Sequence, residues 1–194
     1  MKQWYKTRKK DPFYIKAKKN DIISRAYYKL EEIDKKHNLF KNEKKILDIG
    51  CSPGGWIQYI LNKNPKNKIV GIDILPTAEQ IEGKIKFYMM DLNQYQLIDE
   101  LFSSNKYTFD SIISDIAPNT SGNQFIDQTN SYDLSMLSAK FIEKYLNKGG
   151  NFLVKNFQGE DTEKLFKFIK NFFNKTQYIK PVSYTHLTLP TTYT

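Results

Sequence analysis

Short apolar runs alternate along this chain with longer segments whose apolar positions recur at helical spacing, and most of the runs end in Asp, Gly, Pro or Asn. Residues 46–49, 68–72 (KIVGI), 85–90 (IKFYMM), 110–114 (DSIIS) and 151–155 (NFLVK) have the length and continuous apolarity of buried strands. Helical spacing predicts a helix over 24–38, with Ser24 as N-cap and Ala26, Leu30, Ile33 and His37 on one face. Further helices are expected over 56–62, 94–103, 132–146 and 162–173; the fourth stops at Lys148-Gly149-Gly150 and the fifth is capped by Asp161. Residues 124–130 read as a polar loop, and 177–179 as a weak sixth strand. Strand alternating with helix predicts an α/β fold with a doubly wound, mainly parallel sheet. The expected organisation is a basic arm over 1–23, one domain over 24–181 and an atypical tail over 182–194.

The strongest chemistry lies in residues 45–59, KILDIGCSPGGWIQY. A strand that breaks into a glycine turn and then a helix presents backbone N–H groups to a ligand. Gly50 lets the chain turn sharply, Pro53 stiffens the bend, and Gly54 and Gly55 let the backbone come close to a bound molecule before Trp56 opens the helix. Asp48, at the strand's carboxyl end, can hold a cationic or hydroxyl-bearing group. The spacing is not G-x-G-x-x-G and no Lys-Ser/Thr pair follows, so neither a dinucleotide fingerprint nor a phosphate-cradling loop is met. Asp73 lies 23 residues after Gly50, near the separation of about 20 at which an acid holds ribose hydroxyls. Asp91, after the third strand, can accept from the exocyclic amine of an adenine. Together these describe a pocket for an adenosine-containing cofactor, and S-adenosylmethionine fits better than ATP because its reactive end is a positive sulfonium. The rule that sites form at strand carboxyl ends places Asp48, Asp73, Asp91, Asp115 and Lys155 along one edge of the sheet.

Composition narrows the partners. The 194 residues are 40% hydrophobic, with no run of 18 apolar residues, so no membrane partner is expected. Cys51 is the single cysteine, which excludes a disulfide framework and a thiolate zinc site; no metal is expected, and His37 and His186 are badly placed in sequence to activate a thiol. Seven of the nine net positive charges fall in residues 1–20, interleaved with Trp4, Tyr5, Phe13 and Tyr14. That pattern suits RNA, since lysines neutralise phosphates while flat rings stack on bases. A solvated tail or targeting remnant is the alternative, although transit peptides prefer Arg and Ser to Lys.

The chain resembles the FtsJ/RrmJ-type ribosomal RNA 2′-O-methyltransferases, a resemblance carried by several stretches in family order. These are SRAYYKL from Ser24, DIGCSPGGW from Asp48, DILP from Asp73, SDIAPN from Ser114, Ser121-Gly122, and VKNFQG from Val154. The Asp11-Pro12-Phe13 lead-in is most similar to organellar members acting on large-subunit rRNA. The resemblance implies a Rossmann-like S-adenosylmethionine-dependent methyltransferase fold and methylation of a ribose 2′-hydroxyl, most often of a uridine in the large ribosomal subunit. It implies cofactor contacts at Gly54, Trp56, Asp73, Asp91 and Asp115. The first three members of the family's Lys-Asp-Lys-Glu tetrad fall on Lys29, Asp115 and Lys155.

Physical chemistry supports these roles. A 2′-hydroxyl is a poor nucleophile until a base takes its proton, and Lys155 ends a buried strand where desolvation and neighbouring cations favour a neutral amine. Asp115 then orients Lys155, and Lys29 positions the hydroxyl or a nearby phosphate. The Asp-Ile-Ala-Pro loop lacks the aromatic that amino-methyltransferases use to hold an exocyclic amine. After Lys180-Pro181 the family continues into a last strand carrying the tetrad's glutamate, whereas 182–194 contains no acid. A truncated or altered last strand and a vacant fourth position are therefore expected. A tRNA substrate, a non-catalytic RNA-binding assembly factor that keeps the pocket, and a small-molecule methyltransferase are the competing readings. A monomer is expected, inside the cell, with organelle, nucleolus and cytoplasm left open.

Overall fold

Five parallel strands form the centre of the fold: β1 (Lys45–Ile49), β2 (Lys68–Asp73), β3 (Lys86–Met89), β4 (Phe109–Ser114) and β5 (Leu146–Asn156), in the order β3-β2-β1-β4-β5. Two more follow, β6 (Phe173–Thr176) and β7 (Leu187–Tyr193), with β7 antiparallel between β5 and β6. The computed structural model describes residues 11–42, 44–180 and 187–193. The basic stretch up to Lys10, with Trp4 and Tyr5, lies outside them. The helices are α1 (Pro12–Lys19), α2 (Ala26–His37), α3 (Gly55–Lys63), α4 (Tyr95–Ser104), α5 (Gln124–Ala139), the short α6 (Phe141–Tyr145) and α7 (Thr162–Lys170). No helix among the described residues is long and apolar enough to cross a membrane.

Parallel strands covered on both faces carry continuous apolar runs, yet their side chains still alternate. Ile46, Ile113 and Leu153 pack with Leu30, Ile33, Trp56, Ile57 and Ile60, on the side of α2 and α3. Leu47, Ile112, Phe152 and Val154 pack with Phe102, Phe141 and Ile169 on the other side. The same alternation puts Asp48, Asp115 and Lys155 on the α2/α3 face. Buried Asp34 ties those helices together: it accepts from the Phe40 N–H at 3.1 Å and the Tyr59 hydroxyl at 2.7 Å, and Lys63 lies 3.2 Å away.

Several expectations change. Residues 124–130 are helical, because the Asn123 side chain accepts from the N–H groups of Phe125 and Ile126 and starts α5 eight residues earlier than the apolar pattern shows. The helix expected over 132–146 breaks near Lys140, and Lys148-Gly149-Gly150 belongs to β5, where Gly149 (φ 76°) absorbs an irregular register against β4. The sixth strand is Phe173–Thr176 rather than 177–179, so α7 stops at Lys170. Ser24 is not the N-cap of α2: Arg25 holds that place without a side-chain bond, and the Ser24 hydroxyl is buried without a partner. The last strand is present, pairing residue by residue with β5 from Asn156↔Leu187 to Asn151↔Thr192, because backbone pairing depends little on side-chain identity. Residues 12–19, read as part of a basic arm, form α1. Asp11 caps it through the N–H groups of Phe13 and Tyr14 and pairs with Arg25, while Phe13 and Lys16 lie against the Tyr28 ring.

Candidate functional site

Three charged side chains meet beyond the carboxyl ends of β4 and β5. Asp115 directly follows β4, Lys155 is the penultimate residue of β5, and Lys29 comes up from α2. Lys29 Nζ donates to Asp115 Oδ1 at 2.6 Å, and Lys155 Nζ lies 3.1 Å from the same oxygen and also donates to the Asp115 backbone carbonyl. Lys29 is fully buried, and Lys155 keeps 6% of its surface. Burial alone would raise the Asp115 carboxyl, but the ammonium groups of Lys155 and Lys29 outweigh it and hold the group below its ordinary value. Burial pushes Lys29 down to about 8; Asp115 resists that fall and Lys155 adds to it. The sequence places the desolvated amine at Lys155, whereas the more enclosed lysine is Lys29, whose head also lies 5.2 Å from the centre of the Trp56 ring.

Lys155 is positioned by residues that carry no motif. Ser131, Ser135 and Ser138 recur at helical spacing on the buried face of α5. Ser135 donates to the Lys155 carbonyl at 3.0 Å, Ser131 accepts from the Phe157 N–H at 2.9 Å, and Ser138 meets Ser114 at 3.3 Å. The recurrence of serine at helical spacing was the available signal.

The glycine turn is built by close packing. Gly50 sits at φ 75°, its N–H donating to the Ile72 carbonyl at 2.8 Å, and a Cβ there would lie 2.6 Å from Ile116 Cβ. The protein itself packs tightly on the side-chain side of Gly54 and Gly55: added Cβ atoms would meet Ile81 and Ser24, both at 2.1 Å. Pro53 joins this packing through its carbonyl, which accepts from Ala78 N–H at 2.9 Å. Gly50→Ala combines a left-handed backbone with a clash against a fixed branched carbon. It is expected to lower unfolding free energy by roughly 2–4 kcal/mol in denaturant titrations.

The pocket acids differ in their surroundings. Asp48 is 1% exposed, neither of its oxygens has a partner, and burial, then the charges of Asp115 and Asp73, push its pKa far up. Trp56 Nε1 is likewise buried without a partner. Asp73 uses both oxygens on its own loops, accepting from Ser52 N–H at 2.8 Å and Leu75 N–H at 2.9 Å; each oxygen keeps a lone pair for a hydroxyl. Exposed Asp91 accepts from the Asn93 backbone and side chain and is not joined to the lysine cluster. A buried acid with free acceptors, near two further carboxylates, is suited to a cationic donor carrying N–H groups. Cys51 is buried, and burial, then Asp48, drives its thiol upward, away from the reactive thiolate form.

Residues 22–185 match the model of the FtsJ-like methyltransferase family. Over 186 residues the chain is 37% identical to the Ribosomal RNA large subunit methyltransferase E of Coxiella burnetii, covering 93% of this chain and 87% of that one. The protein of that name from Buchnera aphidicola is also 37% identical, over 181 residues, covering 92% and 87%. Among solved structures, a Plasmodium falciparum protein described as a ribosomal RNA methyltransferase superposes with a TM-score of 0.78 at 32% identity, over 88% of this chain and 97% of that one.

Proposed function

The chain belongs to the FtsJ-like methyltransferase family, and from that premise we propose that it moves a methyl group from S-adenosylmethionine to a ribose 2′-hydroxyl of ribosomal RNA, a uridine of the large subunit. One observation carries this reading: Lys29 and Lys155 converge on a single Asp115 oxygen, on the sheet face that also holds the unpartnered Asp48. Asp48, Asp73 and the turn from Gly50 to Trp56 would hold the donor, which when bound supplies an electrophilic methyl carbon on a positive sulfur. Asp91 is the candidate for its adenine.

The chain's own groups do the rest. Asp115 fixes the two amines in place. Lys155, which retains some exposure, receives the ribose hydroxyl. Lys155 accepts the hydroxyl proton as the general base, and Lys29 beside it, pushed down to about 8, gives up its own positive charge near that pH. Holding oxygen and methyl carbon in line supplies much of the remaining acceleration. On this reading the protein works where ribosomes are assembled.

The cluster loses a positive charge at Lys29 as pH rises through about 8, so the rate is expected to rise across that value and then level off. Single-turnover rates between pH 6 and 10 check this; a rate that falls over that range contradicts the assignment. The substrate is tested with labelled donor, large-subunit rRNA and tRNA, followed by digestion to nucleosides. Label in a 2′-O-methylated uridine of rRNA is expected. Label on a base, or in tRNA alone, overturns the proposal.

A further inference from the structure

The loops that leave β4 and β5 border an open cavity of about 670 Å³ together with the first turns of α5. Thr120, five positions after Asp115, lines it, as do Phe157 and Gln158, two and three positions after Lys155. Gln124, Asp127 and Gln128 come from α5, so three amide side chains face one space. Both loops are tied to that helix. Gln128 Nε2 donates to the Gln158 carbonyl, and a Cβ added at Gly159 would lie 2.9 Å from the Gln128 amide carbon. On the other side, Asp127 Oδ1 accepts from the Ser121 N–H at 2.7 Å and from its hydroxyl at 2.8 Å. The Ser121 hydroxyl in turn accepts from the Asn123 N–H at 3.1 Å. Phe125, 65% exposed on the first turn of α5, lines a narrower cleft that shares Gln128 and Phe157.

On the reading of the substrate as an RNA ribose, on which this rests, we propose that the cavity seats the base of the nucleotide being methylated. In a nucleotide the base hangs from the carbon next to the one bearing the 2′-hydroxyl. A hydroxyl held at Lys155 therefore leaves its base in the space beside that amine. At no more than about 3.6 Å per residue, the backbone of Gln158 lies within roughly 11 Å of that of Lys155. The cavity falls within the range of about 300–1,000 Å³ usual for sites that enclose small groups. An amide carries both a donor and an acceptor, which suits the alternating carbonyl and N–H edge of uracil, and the rings offer a face for stacking. The Asp127 carboxyl is held below its ordinary value, first by the Ser121 N–H, so it stays charged and disfavours a phosphate in the same space.

The test crosses a change in the protein with a change in the RNA. Gln124→Ala together with Gln158→Ala removes two exposed amides and leaves the Gln158 carbonyl, with its bond from Gln128, in place. A large-subunit rRNA fragment is made with the target nucleotide intact, or with its ribose kept and its base removed. In wild type, removing the base is expected to lower kcat/KM at least tenfold, within the range found for a stacked base. In the variant the same removal should cost less than about threefold, because the contacts it would lose are already gone. Donor affinity of the variant, measured by titration, should stay at the wild-type value. Equal losses in the two proteins overturn the proposal, as does coupling that follows removal of a neighbouring base in place of the target's. A fall in donor affinity also overturns it, since the amides would then serve the cofactor. If wild type leaves the intact fragment unmethylated, the proposed function fails and this inference with it; if wild type methylates it and the two changes are additive, this inference alone fails.

Discussion

Lys155→Ala is expected to slow methyl transfer about a thousandfold, within the range found when a general base is removed, and to leave donor affinity nearly unchanged. The substitution removes one of two amines from Asp115 Oδ1 and keeps the other, so the carboxylate stays compensated by Lys29 at 2.6 Å. The fold should survive: Ser135 bonds the backbone of residue 155, not its side chain, and the β5–β7 ladder uses backbone groups. Isothermal titration with the donor and single-turnover transfer to rRNA separate the two effects. Loss of donor binding would place Lys155 in cofactor recognition instead. An unchanged rate would remove it from the chemistry, and transfer at background level in both proteins would favour a non-catalytic RNA-binding protein.

Asp115→Ala should do more damage, and of a different kind. It takes the carboxylate from between the Lys29 and Lys155 ammonium groups and leaves two like charges close together in a buried site. Breaking a buried ion pair from one side costs on the order of 3–5 kcal/mol, so a clear fall in denaturation midpoint is expected along with loss of transfer. The pH dependence gives the cause. In the native state Lys29 sits at about 8 against an ordinary 10.5, so its unfavourable burial is fully felt below 8 and is relieved as pH rises from there toward 10.5. Removing Asp115 takes away the charge that holds Lys29 up, so the relief should begin at lower pH and the variant should gain stability on mild alkalisation. Adding Lys29→Met to Asp115→Ala removes one stranded charge and should recover part of the loss without restoring activity. Loss that is independent of pH, and not recovered in the double variant, would point to packing rather than charge.

How much of this was legible in the sequence differs by element. The β1–turn–α3 unit was, because a short apolar run broken by Gly50 and followed by Gly54-Gly55 has few alternatives. So were Lys29, Asp115 and Lys155, since each lies within a stretch resembling the family. What escaped were features decided by tertiary contacts. The start of α5 depends on two bonds to the Asn123 side chain among polar residues that also suit a loop. Apolar spacing across 132–146 continues through Lys140, yet residues from Leu146 on pair with β4 and the helix gives way. The burial of Lys29 beneath Trp56, the stranded carboxyl of Asp48 and the contacts of Gly54 and Gly55 with Ile81 and Ser24 are three-dimensional facts with no one-dimensional signature.

Lys29 and Asp115 are separated by 86 positions, and Asp115 and Lys155 by another 40. No excised fragment or half-made chain holding only two of them can therefore assemble this cluster, which comes into being only when distant parts of the polypeptide have closed together. On the proposed mechanism, full turnover is thus a census of fully folded molecules.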